Sequence, residues 1–127
     1  MTEQELQALC SLWQKRLRLQ DWTVVVRVVR RHEMALKDVQ GECEWVLPRK
    51  QAVIRLLDPV DYVPERIVPQ DMETDLVHEL LHLYFAPFDA DDGTLEEMHQ
   101  EQAINAIGQA LVALARKGAD DHGEDAG

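Results

Sequence analysis

The sequence predicts an α+β fold, in which helices accompany a small sheet. Apolar residues recur at helical spacing near the N-terminus and in two later segments, whereas in the stretch between them they alternate as strands do. With 127 residues and 46% hydrophobic content, the chain suits one globular domain with a single core. We therefore expect an N-terminal helix, a three-stranded, mainly antiparallel sheet, and two further helices.

The first helix is predicted from a capping box and an apolar stripe. Thr2 is followed three residues later by Glu5, which is a pattern that caps a helix N-terminus. The apolar residues that then share one helical face are Leu6, Leu9, Cys10, Trp13 and Leu17. We expect a helix of about 16 residues that packs this face on the core.

Three strands are predicted next. Residues 22–29 alternate in character and are rich in valine, which is typical of a strand with one well-buried face. Residues 42–47 and 52–57 form two more runs, and only residues 48–51 separate them. Because so short a connection favours direct pairing, the second and third strands are expected to form an antiparallel hairpin.

Two helices are predicted after a proline-rich loop at residues 58–70. Asp71 can cap the first of them, which should run to the residue before Pro87. Thr94 begins a second capping box, and an apolar stripe then continues to the residue before Gly118. We expect the last helix to span the residues of this stripe.

Charge and cysteine content exclude several classes of protein. The 24 acidic and 13 basic residues give a net charge of −11, which opposes binding to nucleic acid or anionic lipid. No apolar run reaches the roughly 18 residues of a membrane span, and no signal-peptide pattern occurs. Cys10 and Cys43 lie in predicted core elements, so we expect reduced thiols and a cytoplasmic protein. The oligomeric state stays open.

The sequence divides into a single domain and a tail. Residues 1–118 contain all the predicted elements. Residues 119–127 are rich in aspartate, glutamate and glycine and carry no large apolar side chain. We therefore expect a disordered acidic tail after the domain.

One short motif lies inside the apolar helix that follows the sheet. It reads His78-Glu79-Leu80-Leu81-His82, and residues four apart lie one helical turn above each other. Two imidazoles so placed can bind one zinc ion, while Glu79 points about 100° away and can act as a base on a water molecule. The alternative is that His78 and His82 are ordinary core histidines.

The motif and the order of elements resemble the small zincin-type metallopeptidase domains, including the SprT-like and the phage or prophage-encoded groups. The resemblance covers residues 22–114 in the order of elements. It implies that His78 and His82 bind zinc, that Glu79 is the catalytic base, and that residues 1–118 form a minimal zincin-like domain. It also implies that an edge strand beside the site holds an extended peptide substrate, and by position that strand would be residues 52–57.

A catalytic zinc needs a third protein ligand and one open position. By resemblance to gluzincins, in which a glutamate on a following helix completes the site, Glu101 is our first choice. The segment that begins at Glu101 departs from the gluzincin pattern, because Gln100 stands where asparagine is common. His99 is the alternative, since SprT-like domains use a third histidine. Residues two apart point about 200° apart on a helix, so only one of them can face the site.

The resemblance implies a zinc-dependent hydrolase that cleaves peptide bonds, with Glu79 moving the proton from the attacking water to the leaving amine. One alternative is a zinc-binding regulatory or interaction module of the same fold with little or no turnover. A second alternative is a DNA-associated protease that contacts phosphates through Arg27, Arg30 and Arg31, but the net charge opposes it.

Overall fold

The computed structural model describes residues 1–64 and 69–126, with side chains described as far as Ala119. In chain order the helices and strands are α1 (Glu3–Arg16), β1 (Thr23–Val29), β2 (Gly41–Val46), β3 (Gln51–Leu57), α2 (Met72–Phe85) and α3 (Leu95–Ala126). Short 3₁₀ turns lie in several of the connections. The predicted α+β class is confirmed.

Side chains cap all three helices at the positions that the sequence indicates. The donor and acceptor pairs are Glu5 N to Thr2 Oγ1 at 3.1 Å, Thr74 N to Asp71 Oδ1 at 3.0 Å, and Glu97 N to Thr94 Oγ1 at 3.1 Å. Each bond satisfies an amide that has no partner inside its helix. The predicted helix starts are therefore confirmed, whereas α3 continues past Gly118, where its end was predicted.

The sheet has the strand order β1-β3-β2. As predicted, β2 pairs with β3 as an antiparallel hairpin. The other edge of β3 pairs in parallel with β1, which places Val26 opposite Ile54. The sheet is thus mixed rather than mainly antiparallel. The prediction that residues 52–57 form an edge strand is wrong, because pairing with β1 makes β3 the central strand.

Alternate side chains of the strands pack against α1 and α2 in one core. Val26 and Ile54 are almost completely buried there, as expected for the inward-facing residues of a half-covered sheet. Trp13 on α1 belongs to the same core and donates from Nε1 to Glu73 Oε2 on α2 at 2.8 Å. This bond connects α1 to the first turn of the helix that carries the motif.

The last helix packs across α2, as predicted. A Cβ atom added to Gly108 would lie 3.6 Å from Leu81 Cδ1 and 3.9 Å from the backbone nitrogen of His78. These are ordinary van der Waals distances, so the two helices are in direct contact beside the motif. Ile104, one turn before Gly108, is completely buried and fixes the same contact. This crossing brings the preceding turns of α3 over His78 and His82.

The remaining expectations concern the thiols, the membrane and the tail. Cys10 is buried, Cys43 is half-buried, and both are free thiols, as predicted. Among the described residues, no helix combines the length and apolarity that a bilayer crossing requires. The side chains of residues 120–127 lie outside the described part of the chain. The predicted disorder of residues 119–127 therefore stays a prediction.

Candidate metal centre

His78 and His82 project from the same side of α2, one helical turn apart. Their Nε2 atoms are 3.3 Å apart, and their side chains are 18% and 16% exposed. The one-turn spacing of the motif accounts for this proximity. Two ring nitrogens this close can share one proton, or both can face a common acceptor or a common cation.

Glu101 reaches both imidazoles from α3. Its Oε1 lies 2.8 Å from His82 Nε2, and its Oε2 lies 3.1 Å from His78 Nε2. His99, the alternative third ligand, is exposed and does not belong to this cluster. The structure thus brings Glu101, and not His99, to the two histidines of the motif.

These three residues could hold a metal ion. Their ligand atoms all lie within 4.8 Å of one another, and no other such group occurs among the described residues. An ion bound tetrahedrally at about 2.0 to 2.1 Å needs ligand atoms about 3.3 to 3.4 Å apart, and the two imidazole nitrogens are 3.3 Å apart. Two imidazoles and one carboxylate are the ligand types of the His₂Glu set found in some catalytic zinc sites. The residues present therefore fit a zinc ion.

Charge holds the cluster together. Hydrogen bonds from His78 and His82 hold the pKa of Glu101 well below its usual range. Burial works to lower the pKa of His78, but the hydrogen bond to Glu101 and the charge of Glu79 outweigh it, and the pKa is raised. The side chain of Asn105, one turn after Glu101, adds a weaker upward contribution through a hydrogen bond to His78. The site thus favours positive charge between its side chains.

Glu79 lies beside the cluster but outside it. Its side chain is 9% exposed, and its Oε2 is 3.9 Å from His78 Nε2. Burial raises its pKa to about 7, the charges of His78 and His82 oppose the rise, and the charges of Glu101 and Asp75 add to it. A carboxyl group with a pKa near neutrality can both accept and deliver a proton at physiological pH.

Strand β2 approaches Glu79 at a glycine. A Cβ atom on Gly41 would lie 3.3 Å from Glu79 Oε2 and 3.1 Å from Leu56 Cδ2. Both contacts are tighter than most real Cβ contacts, so a side chain at this position would push Leu56 or Glu79 aside by a few tenths of an ångström. Gly41 therefore lets the edge of the sheet pass directly beside the buried carboxyl group.

The cluster opens into a cleft of about 830 Å³. Its floor is the motif face of α2, including His78, Glu79 and His82. One wall consists of β2 and residues 36–40, and the other consists of the segment before α3 and the first turns of that helix. The cleft therefore gives a ligand access to the histidines and to Glu79 together.

A buried carboxylate anchors the first of these walls. Glu42 accepts from the backbone amides of Ala35 at 3.0 Å and Leu36 at 2.9 Å, and from the Arg55 guanidinium at 2.7 Å. Burial opposes ionisation of Glu42, but the bonds from these three residues outweigh it and lower its pKa. Glu42 thereby connects the loop beside the cleft to the sheet.

Sequence reasoning missed the roles of Gly41, Glu42 and Asn105. The glycine before the second strand indicates a turn or bulge, but nothing in the sequence indicates that a carboxyl group lies against it. Glu42 follows the alternation of a strand and looks like a surface residue, because its partners come from a separate loop and strand. Asn105 has one local signal, namely its position one turn after Glu101.

Comparison of the chain with protein-family models, with curated proteins and with solved structures gave no match. Its function is therefore inferred from the residues of the site.

Proposed function

We propose that this chain is a zinc-dependent peptidase of the zincin type. The observation that carries the proposal is the convergence of His78, His82 and Glu101, with Glu79 directly beside them. In this proposal the first three residues hold the ion and leave its remaining position open to the cleft. A zinc ion bound there would supply Lewis acidity, which acidifies water and polarises a carbonyl oxygen.

Glu79 acts as the general base and acid in this proposal. Its carboxyl group lines the cleft and is not one of the three residues that hold the ion, so it is free to accept a proton from the attacking water. It then delivers that proton to the leaving amine. Its burial, which raises its pKa to about 7, suits both steps because neither protonation state is strongly favoured.

The peptide is proposed to lie along β2 and not along residues 52–57. Strand β2 pairs with β3 on one side only, and no other described strand pairs with it. Its residues Gly41 and Cys43 line the cleft beside the motif. An extended peptide can add to such an edge through backbone hydrogen bonds, which would bring its peptide bonds past Glu79.

Metal analysis combined with a peptidase assay tests the proposal. We expect about one zinc per chain, lost in His78→Ala and in His82→Ala. The Glu79→Gln variant, purified in the same way, should keep its zinc and lose cleavage of a quenched fluorescent peptide library. This variant also controls for contaminating proteases, because its metal site is intact.

The possible outcomes separate the proposal from its alternative. Full zinc occupancy in His78→Ala would rule out the site. Normal zinc content without cleavage of any peptide would instead favour the regulatory or interaction module. Equal cleavage by the wild type and by Glu79→Gln would show that the activity belongs to a contaminant.

A further inference from the structure

The segment that carries the motif and Glu101 contains no lysine or arginine. Residues 67–115 include α2 and most of α3, and none of the 13 basic residues lies there. The acidic residues in this stretch are Asp71, Glu73, Asp75, Glu79, Asp89, Asp91, Asp92, Glu96, Glu97 and Glu101. Six of these ten acidic residues line the cleft.

Both walls of the cleft carry carboxylates. Asp38 lines it from the loop before β2, and Asp89, Asp92 and Glu97 line it from the opposite wall. No lysine or arginine lines the cleft in the part of the chain that the structure describes. Lys37 is next to Asp38 in sequence but is exposed and is not a lining residue.

Some of the acidic residues in and near the cleft are paired with arginine. Outside the cleft, Arg116 lies 2.7 Å from Asp71 and 3.1 Å from Glu73. Within it, Glu42 is paired with Arg55 at 2.7 Å. These pairs account for part of the acidic excess, but they leave the charges on both walls.

Among the described residues, no lysine or arginine is paired with the acids on the second wall. Asp89 accepts from the amide of Gln100 at 2.8 Å, and an amide cancels no charge. Glu97 has a hydrogen bond to Asp92, and this contact between two carboxyl groups raises the pKa of Glu97. The wall would therefore be stabilised by a positive group placed against it.

Among the described residues, the acidic walls do not form a second metal site. The only convergent group of metal-binding side chains among the described residues is His78, His82 and Glu101. Glu79, whose side chain is nine-tenths buried, lines the same cleft, and no hydrogen bond to it is found within the described residues. Its Oε2 lies 3.9 Å from His78 Nε2, so this buried carboxyl group faces both the histidines and the open cleft.

We propose that the substrate of this site is a basic peptide, with lysine or arginine side chains next to the bond at the cleft floor. The inference rests on the proposed peptidase function, since it assigns the substrate class of the same site. Cationic side chains on either side of that bond would lie against Asp38 on one wall and against Asp92 and Glu97 on the other. A peptide rich in aspartate or glutamate would be repelled by both walls.

The attraction acts mainly through complementary charge, so it should depend on salt. Interactions between exposed charges are screened over about 10 Å at 0.1 M ionic strength and about 3 Å at 1 M. We expect a lysine-containing peptide to bind about tenfold more tightly than a matched glutamate-containing peptide at low salt. The difference should shrink toward zero at 1 M salt.

Peptide binding to the zinc-loaded Glu79→Gln protein tests this inference separately from turnover. Fluorescence anisotropy would compare two labelled peptides of equal length that differ only in lysine or glutamate at the central positions. The double substitution Asp92→Asn with Glu97→Gln should remove most of the preference for lysine, while the zinc content stays unchanged. The matched control is Asp91→Asn with Glu96→Gln, which removes the same charge from exposed residues that do not line the cleft.

Each outcome bears on one proposal or the other. Equal binding of the two peptides, or an equal loss of preference in the cleft variant and in the control, would overturn the basic-substrate inference. Lysine-dependent binding that responds only to the cleft variant supports it. If the wild-type protein binds basic peptides in this way but cleaves none, the peptidase proposal fails and the ligand class stands.

Discussion

The Nε2 atoms of His78 and His82 are 3.3 Å apart, and Glu101 contacts both. The carboxylate of Glu101 connects the two imidazoles through these contacts. A divalent cation can replace those contacts without moving the helices, because the nitrogens already have the separation of tetrahedral ligands. The close crossing of α3 over α2 at Gly108 maintains this arrangement through the backbone.

Replacing Glu101 by alanine should weaken zinc binding more than about 100-fold, because it removes a first ligand and not merely a residue that supports one. Zinc affinity would be measured by competition with a chromophoric chelator. The matched control is His99→Ala, on the same helix but outside the cluster, which should bind zinc as the wild type does. The reverse pattern would assign the third ligand to His99.

Asn105 should support the metal site through His78. We expect Asn105→Ala to weaken zinc binding by about 10- to 100-fold, as is usual when a hydrogen-bonding partner of a ligand is removed. Gln102→Ala is the control, because Gln102 is exposed on the same helix and does not line the cleft. Equal zinc affinities of the two variants in the chelator assay would show that Asn105 does not position His78.

Gly41→Ala should destabilise the protein by about 1 to 3 kcal/mol, because the new methyl group must displace Leu56 or Glu79. Urea denaturation measures this change in the free energy of unfolding. The zinc content should stay unchanged, since none of the three cluster residues is among the closest neighbours of that methyl group. Gly118→Ala is the contrasting case, because a Cβ atom at this position in α3 would have no other atom within 4 Å. Since alanine restricts the unfolded chain more than glycine does, this substitution should stabilise the protein by about 0.5 to 1 kcal/mol. Similar effects of the two substitutions would contradict this account.

Local signals in the sequence predicted the elements well. Each helix start depends on a side chain that caps an amide three residues ahead, as with Thr94 and Glu97, and such short-range patterns are visible in sequence. The approach of Glu101 to the motif was also predicted, by resemblance to gluzincins and from the position of Glu101 beside a buried stripe.

Pairings between distant parts of the chain were not predicted. Strand β1 bypasses β2 and pairs with β3 in parallel, although strands that follow each other in sequence are usually neighbours. That pairing makes β3 the central strand and leaves β2 at an edge. It thereby also decides where β2 and Gly41 lie relative to Glu79. The partners of Glu42 are nonlocal in the same way, because Arg55 comes from another strand.

The last prediction concerns Glu42. We expect Glu42→Gln to cost about 1 to 3 kcal/mol at pH 7, because a neutral amide cannot replace a buried carboxylate that accepts from Arg55 and two backbone amides. Urea denaturation measures the difference. Glu44→Gln is the matched control, since Glu44 contacts the same guanidinium but its side chain is 56% exposed, and it should change stability by less than about 0.5 kcal/mol.

The pH dependence of that difference tests its cause. The pKa of Glu42 is lower in the folded protein than its ordinary value, which is about 4.3 in an unfolded chain. Its ionised form therefore contributes stability that is fully present above about pH 5 and is lost as the pH falls through the lowered pKa. The gap between the wild type and Glu42→Gln should be constant from about pH 5 to 7 and should narrow below about pH 4. A gap that stays constant down to pH 3 would show that shape, and not the charge of Glu42, stabilises this wall of the cleft.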